Sequence, residues 1–340
     1  SESGEITIEN SGTIETLGTG SHGIVAQSIS GSGGFVFGNS HKHQPIELER
    51  QITAESKDIT LKNKGTILTR GNNSIAVLAQ TAAGAAYIYQ NPDGTTSRVT
   101  AALAHPSKKA GDVVVINSGS IIATGRGGIG ITKSTNPVPI ESNLRVVNTA
   151  TGIIRGGEGG AAVQLPTRER ESIDNQGFMI GGPLGQSVVI EGTGGNDEIV
   201  NSNVIAGNIL IQGGRNTIAN SSNARLESTD IVLGRRAELV NAGTLSPDGA
   251  HRIGTMDLVA KYFQTTTGNY EFDLDVSDGQ TDYFHIASVG LLEGDVTLVP
   301  TETGLAKPGQ FTSTEFLTAR DVPLDKLAFE YPKSAIADYK

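Results

Sequence analysis

A short pattern of apolar and polar positions recurs along the chain: an apolar residue, any residue, Asn, any residue, Gly, any residue and a second apolar residue. On each side of the Asn-x-Gly step, apolar and polar residues alternate over a few positions. This alternation predicts short strands that bury one face. Some copies are complete and some are degenerate. Their asparagines are Asn10, Asn63, Asn117, Asn148, Asn175, Asn201, Asn220 and Asn241.

The spacing of these asparagines indicates a coil. Successive intervals are 53, 54, 31, 27, 26, 19 and 21 residues. Because the first two intervals are about twice the next three, we interpret each of them as two turns of a coil, one carrying a degenerate copy. With roughly 20 to 27 residues per coil, residues 1–245 are expected to form about ten to twelve coils.

The repeat favours an all-β fold, a right-handed parallel β-helix. One coil of short strands cannot bury its apolar side alone, whereas stacked coils bury it against one another. Asn and Gly at a fixed place fit a turn that needs positive φ, and stacked Asn side chains can hydrogen-bond from coil to coil. An antiparallel sandwich is the alternative, but it does not explain Asn-x-Gly at coil-like intervals.

Two segments, near residues 30–50 and 87–111, interrupt the repeat and are expected to be loops that leave the coil. Long segments on a rigid scaffold often carry recognition. Their aromatic and basic residues are suited to contacting a partner, although an ordinary exposed loop can have the same composition. The candidate binding residues are Phe35, Phe37, His41, His43, Tyr87, Tyr89, His105, Lys108 and Lys109.

Two short motifs raise the question of a metal site. His41 and His43 are two positions apart, so on a strand they would share one face, as metal ligands can. No third ligand is evident in the sequence, and a solvated loop is the preferred interpretation. Residues 194–199 (GGNDEI) partly match a calcium-binding nonapeptide, but such sites need tandem copies, so a turn is expected there. We therefore predict no metal and no other cofactor.

The composition changes after Leu245. The run Leu245-Ser246-Pro247-Asp248-Gly249 is a turn signal, and longer strand-like stretches rich in aromatic residues follow it. We therefore expect two units. Residues 1–245 would form the β-helix, and residues 246–340 would form a β-rich C-terminal cap that covers the open end of the sheets.

Composition and charge exclude several classes of protein. The chain has 340 residues, no cysteine and a net charge of −10. Without cysteine there is no disulfide framework, no thiolate metal site and no cysteine nucleophile. No nucleic-acid partner is expected, because neutralisation of phosphates supplies much of that affinity and this acidic chain has no basic run. No apolar stretch approaches the roughly 20 residues of a membrane helix.

Short segments of the C-terminal part follow one another in a recognisable order. They are LSP at 245–247, MDL at 256–258, YFQ at 262–264, YEFDL at 270–274, DYFHI at 282–286 and LEGDV at 292–296. In this order they resemble the autochaperone region of autotransporter passenger domains, the pertactin-like family of type V secretion. The segment HGIVAQSI at 22–29 is similar to the β-helix coils of the same family.

The resemblance implies export from a Gram-negative bacterium through a C-terminal outer-membrane β-barrel, which is not part of this chain. It further implies that the chain, which begins Ser1-Glu2-Ser3, is a passenger fragment that is secreted or displayed on the cell surface. The lack of cysteine is consistent with export of an unfolded chain. We expect a monomeric adhesin, a virulence factor whose loops bind a host cell-surface protein or glycan.

Two other functions stay open at this point. A passenger cleaved from its barrel could act as a soluble effector on a host receptor, and a β-helix enzyme could act on a polysaccharide. Paired carboxylates such as Asp273 and Asp275, with Asp257 nearby, can hydrolyse glycosides, but we expect these acids to face solvent. There is no Gly-x-Ser-x-Gly nucleophile motif. We therefore predict that the protein is not an enzyme.

Overall fold

The computed structural model of the chain describes residues 3–31, 33–37, 55–84, 86–99, 109–134, 142–166, 170–182, 187–275, 279–301, 315–319 and 326–330. All regular secondary structure in these ranges is β. The described part contains no helix long and apolar enough to span a membrane.

The strands are short and follow one another closely. Up to residue 165 they are β1 (Ile6–Asn10), β2 (Thr13–Thr16), β3 (Ile24–Ile29), β4 (Gly33–Phe37), β5 (Ile59–Asn63), β6 (Thr66–Thr69), β7 (Ile75–Ala82), β8 (Ala86–Gln90), β9 (Thr96–Val99), β10 (Val113–Asn117), β11 (Ser120–Ala123), β12 (Ile129–Ser134), β13 (Leu144–Asn148), β14 (Ile153–Arg155) and β15 (Val163–Leu165). The later strands are β16 (Ser172–Asn175), β17 (Phe178–Ile180), β18 (Val188–Gly192), β19 (Glu198–Asn201), β20 (Val204–Ala206), β21 (Asn208–Ile211), β22 (Thr217–Asn220), β23 (Arg225–Ser228), β24 (Asp230–Val232), β25 (Glu238–Asn241), β26 (Thr244–Pro247), β27 (Thr255–Gln264), β28 (Asn269–Asp275), β29 (Tyr283–Leu292), β30 (Gly294–Thr301), β31 (Leu317–Ala319) and β32 (Leu327–Glu330).

Equivalent strands of successive coils pair in parallel and give the rod three faces. The first face begins with the stack β1-β5-β10-β13, the second with β2-β6-β11-β14 and the third with β3-β7-β12-β15. Residues at equivalent places are register partners, as Val115 and Val146 are. The predicted all-β parallel β-helix is therefore confirmed.

A column of apolar side chains fills the inside of the rod. Alternate residues of each strand point into it, so that Val113 and Val115 of β10 are buried while Val114 between them is partly exposed. The same buried cluster extends through the stack from Leu61 to Leu298. Each coil buries its apolar side only because its neighbours cover it, which is the expected behaviour of a solenoid.

The expected number of coils is wrong. Asn10 pairs directly with Asn63, and Asn63 pairs directly with Asn117, so each long interval is one coil and not two. The described part of the extra residues contains β4, β8 and β9, which form a separate sheet. The described strands from β1 to β26 accordingly form eight coils, one for each repeat asparagine.

The repeat asparagines form a continuous ladder inside the rod. Each side-chain Nδ2 donates to Oδ1 of the asparagine one coil further along, with N···O distances of 2.8 to 2.9 Å. At the end of the series Asn241 Nδ2 lies 3.4 Å from Gln264 Oε1. Amides suit this place because each one both donates and accepts.

The repeat requires glycine for a different reason from the predicted one, which was a turn with positive φ. Among the described non-glycine residues, positive φ occurs only at Asn73, Asn223, Asp248 and His251, and therefore not at the ladder asparagines. A Cβ added at Gly65 would lie 2.0 Å from the carbonyl oxygen of Gly12 in the preceding coil. The repeat therefore needs glycine because neighbouring coils approach closely at this corner, and not because of a left-handed turn.

The described strands beyond residue 245 extend the faces of the rod. β26 crosses the predicted boundary, β27 pairs in parallel with β24 and β25, and β28 pairs with β26. What changes there is the core, because Tyr262, Tyr270 and Phe284 replace aliphatic side chains. Phe272 and Phe316 stack with ring centroids 4.6 Å apart. The C-terminal β-rich region thus shares its sheets and its core with the β-helix.

Candidate binding surface

A small lateral sheet lies beside the rod in the region that interrupts the repeat. Its central strand, β8, pairs in parallel with β4 and antiparallel with β9. The turn between β8 and β9 is closed by Asp93, whose Oδ1 accepts from the backbone N of Thr95 at 2.9 Å and from its Oγ1 at 2.6 Å. These hydrogen bonds from the Thr95 hydroxyl and amide lower the pKa of Asp93 below its usual range.

The lateral sheet is attached to the third face of the rod by apolar packing. Ile88 of β8 is 1% exposed and forms a second buried cluster with Ile75 and Leu78. All eight residues of β7 are buried, because the core covers one side of this strand and the lateral sheet covers the other. A strand covered on both sides has a continuous apolar run, which explains the sequence IAVLA at 75–79.

Polar contacts also fix the lateral sheet to the turns of the first two coils. Gln90 Nε2 donates to the carbonyl oxygen of Gly20, and Asn73 Nδ2 donates to the carbonyl oxygen of Asp93 at 3.2 Å. The sheet is therefore a positioned platform on the rod. Such a platform holds contact residues in place at little entropic cost on binding.

Tyr87 and Tyr89 lie side by side on β8, with ring centroids 6.2 Å apart and planes tilted by 47°. Because side chains alternate along a strand, both point away from the side that carries Ile88. Their exposure differs, since Tyr89 is only 5% exposed whereas Tyr87 is partly exposed. Tyr87 is thus the ring of this pair that can reach a partner, and Tyr89 supports it.

A cleft of about 200 Å³ lies where the lateral sheet meets the rod. Its lining combines aliphatic side chains with uncharged polar ones: Ile75, Leu78, Ile88, Ile129, Thr132, Ser134 and Gln164. The cleft is smaller than the 300 Å³ or so at which drug-sized ligand sites begin. Its chemistry suits a single apolar side chain or one face of a sugar, with hydrogen bonds to neutral groups at the edge.

The polar edge of the cleft belongs to hydrogen-bonded rows on the outside of the third face. Thr132 Oγ1 donates to Gln164 Oε1 at 3.1 Å, and Gln164 Nε2 donates to Glu191 Oε2 at 2.8 Å. These residues were not predicted from the sequence. The repeated glutamines Gln27 and Gln80, whose side chains are hydrogen-bonded at 2.7 Å, belong to a separate row that continues to Ser134, so the repeat gives no signal for Thr132 or Gln164.

Of the other predicted binding residues, Phe35 and Phe37 lie on the strand next to that of the tyrosines, as register partners of Ile88 and Gln90. His41, His43, His105 and Lys108 lie outside the described residues. Phe35 and Phe37 belong to β4, but their side chains lie outside the described part as well. Lys109 is exposed just before β10.

The expectation that Asp273 and Asp275 face solvent is wrong, because they are 1% and 8% exposed. The backbone N atoms of Arg252 and Asp273 donate to the carboxylates of Asp273 and Asp282, at 2.7 and 2.9 Å. Burial raises the pKa of Asp273 to about 6 and that of Asp282 to about 7. These acids are part of the packed interior, and the third candidate acid, Asp257, is exposed and lies 3.0 Å from His285 Nδ1.

The acidic and histidine side chains do not converge on a metal site in the described part of the chain. Among the described residues no group of at least three His, Asp or Glu side chains is arranged to hold a metal ion. The calcium-like stretch at 194–199 contains a glycine turn, with φ of 156° at Gly194 and 108° at Gly195. Asp197 in that stretch is buried, and burial raises the pKa of its carboxyl to about 7.

Comparison with models of protein families and with curated proteins gives no match. Among solved structures, the crystal structure of the Haemophilus influenzae Hap adhesin is similar, with 14% sequence identity over 82% of this chain and a TM-score of 0.28. This chain spans 30% of the length of the Hap chain in that structure. At such a TM-score the two chains superpose poorly, and no residue role is transferred from one to the other.

Proposed function

We propose that this protein is a surface-displayed or secreted bacterial adhesin, and that its lateral sheet contacts a host cell-surface protein or glycan. The observation that carries the proposal is a platform of three strands, fixed to a rigid rod by Ile88, with the partly exposed Tyr87 on the side of β8 opposite to Ile88. A partly exposed aromatic ring on a rigid support is a favourable contact residue.

The rod itself supports the proposal. A stack of parallel coils holds a side platform at a distance from the surface to which the rod is attached. The autotransporter-like order of segments after Gly243, together with the absence of cysteine, supports export from a Gram-negative cell. We propose binding and not catalysis, which agrees with the burial of Asp273 and Asp282, each of which accepts a hydrogen bond from a main-chain N–H group.

The proposal is tested with the purified full chain coupled to fluorescent beads. Beads that carry the chain should attach to cultured mammalian cells, and excess soluble chain should compete with them. Beads coated with an unrelated acidic protein of similar size serve as the control. Attachment equal to that control would overturn the proposal. A cellular response to soluble chain without bead attachment would favour the effector function instead.

A further inference from the structure

Several charged side chains on the outside of the rod pair from one coil to the next. Arg70 Nε lies 2.6 Å from Glu15 Oε1, and Arg170 Nη2 lies 2.6 Å from Glu198 Oε2. Lys62 and Glu9 pair in the same way at 3.1 Å. In each case a cation of one coil faces a carboxylate of the adjacent coil, which neutralises the surface locally.

Other exposed cations in the described part of the chain form no such pair, and Arg145, Arg215 and Arg236 are among them. Arg215 and Arg236 lie two residues before Thr217 and Glu238, which are register partners in adjacent coils. Arg170 stands two residues before Ser172 and pairs with Glu198, the register partner of that serine. In the part of the chain that the structure describes, neither Arg215 nor Arg236 forms an ion pair or donates a side-chain hydrogen bond.

Instead of closing onto a carboxylate, the two arginines border an open groove. The groove has a volume of about 510 Å³ and is lined by Arg215, Thr217, Arg236 and Glu238. The coils approach closely just before it, because a Cβ at Gly214 would lie 1.3 Å from the carbonyl oxygen of Gly195. This close packing fixes the corner from which the guanidinium groups extend.

The charge around the groove is opposite to that of the whole chain. The exposed Arg235 is on the same turn as Arg236, and Lys261 is the register partner of Glu238 in the next coil. Four cations therefore lie near two carboxylates on a chain whose net charge is −10. These carboxylates are Glu238 and Glu198, the register partner of Thr217, and Glu198 is already paired with Arg170. A local concentration of positive charge attracts anions, and guanidinium groups bind sulfate or carboxylate through two parallel hydrogen bonds.

We propose that this corner, comprising Arg215, Arg235, Arg236 and Lys261, binds an acidic polysaccharide that carries sulfate or carboxylate groups. The cations recur from coil to coil at about 4.8 Å, the spacing of neighbouring strands, so they form a short row suited to a polymer with repeated charges. None of the four residues that line the groove is aromatic, but Lys261 Nζ lies 4.8 Å from the ring centroid of Phe263. Single-stranded nucleic acid, which is held by stacking on aromatic rings, is therefore the competing ligand that the experiment must test.

The experiment measures binding of a heparin octasaccharide to the full chain by calorimetry. An unsulfated heparosan octasaccharide and a single-stranded DNA 12-mer are the comparison probes. The test variant is Arg215→Gln/Arg236→Gln. The matched control is Lys62→Gln/Arg70→Gln, which removes the same charge from cations that already pair with glutamate in the first two coils. Circular dichroism verifies that both variants are folded.

We expect the sulfated probe to bind and the test variant to lose affinity by at least about tenfold, since each charge-assisted contact is worth about that much. The matched control should stay within about twofold of wild type. Equal loss in both variants, or no loss in either, would overturn the site. DNA that binds as tightly as heparin would overturn the polysaccharide as its ligand. Because no cells are used, the result is independent of the proposed adhesin function.

Discussion

Asn148 Nδ2 lies 2.8 Å from Asn175 Oδ1, although 27 residues separate the two along the chain. The same Nδ2 also donates to the carbonyl oxygens of Gly152 and Phe178. The Asn148 side chain thus bonds to the main chain of its own corner and to both a side chain and the main chain of the next coil. Because the direction of donation is constant along the ladder, each amide polarises the next, and the bonds are expected to reinforce one another.

Replacing a central amide of this ladder should destabilise the rod strongly. Asn175→Ala removes donation to Gly177 O, Asn201 Oδ1 and Val204 O, and leaves buried acceptors without partners. We expect a loss of about 3 kcal/mol in the free energy of unfolding, measured by urea denaturation. Asn10→Ala, at the part-exposed end of the ladder, should cost about 1 kcal/mol or less. Equal effects of the two substitutions would contradict a ladder that depends on burial.

The attachment of the lateral sheet should depend on Ile88. Ile88→Ala removes the buried contact with Ile75 and Leu78, at a cost of about 2 to 5 kcal/mol for a well-packed site. The loss should be local, so hydrogen exchange of the β8 amides should accelerate while that of β13 stays unchanged. Ile122→Ala, at a partly exposed outward position on the second face, is the control and should leave β8 protected. Uniform acceleration throughout the rod would argue against a separately docked platform.

The carboxyl group of Asp282 should make the C-terminal coils less stable as the pH rises. Its Oδ1 accepts from Gly254 N at 2.6 Å, and burial raises its pKa to about 7, with repulsion from Asp273 and Asp248 acting in the same direction. The folded state therefore keeps a proton that the unfolded chain loses near its ordinary pKa of about 4. The free energy of unfolding should be highest at low pH and should fall as the pH rises to 7.

The variant Asp282→Asn tests this dependence, because it cannot titrate. Between pH 4 and pH 7, titration of Asp282 should lower the free energy of unfolding of the wild type by at most about 4 kcal/mol. Each tenfold change in proton affinity corresponds to about 1.4 kcal/mol. The free energy of unfolding should fall less steeply with pH in the variant. Part of the pH dependence should remain, because the pKa of Asp273 is also raised. Arg252 and His251 also lie in this turn. The salt concentration is kept constant because it screens their interaction with the carboxylates. An unchanged slope in the variant would show that Asp282 does not carry the effect.

His22 should have the opposite pH dependence at the other end of the rod. Its Nδ1 accepts from Ile75 N of the next coil at 3.0 Å, and burial lowers its pKa to about 4. The folded state therefore favours the neutral ring, and stability that is present above pH 6.5 should be lost as the pH falls towards 4. The protection factors of the β3 amides, which are corrected for the intrinsic pH dependence of exchange, should fall over this range in wild type. In His22→Gln, the same protection factors should not depend on pH between 6.5 and 4.

The sequence predicts the rod because the same few residues recur at every coil. Each Asn-x-Gly copy occupies an equivalent corner, so the asparagines that align in the sequence also align in space. Strand faces follow from alternation alone, as they do in β10. Repetition therefore makes the fold and the ladder predictable without knowledge of long-range contacts.

The lateral sheet could not be predicted in this way, because its strands occur once and do not repeat. Whether an interval of 53 residues is one coil or two depends on what the excursion packs against, here Ile88 on Leu78. The burial of Asp273 has a similar origin, since the Thr281 hydroxyl and the Asp282 amide fold back onto its carbonyl oxygen. Such contacts depend on tertiary structure and leave little periodic signal in the sequence.

The central claim, that the lateral sheet contacts the host cell, is tested most directly by bead attachment of the Tyr87→Ser variant. Tyr87 is the partly exposed ring of β8, and Tyr89 stays in place to support the sheet. Phe178→Ser is the control, since this ring is 43% exposed on the second face, away from the lateral sheet. We predict that Tyr87→Ser lowers attachment at least about fivefold, as loss of an aromatic contact residue does, and that Phe178→Ser leaves it unchanged. Full attachment of Tyr87→Ser, or equal loss in both variants, would contradict the claim.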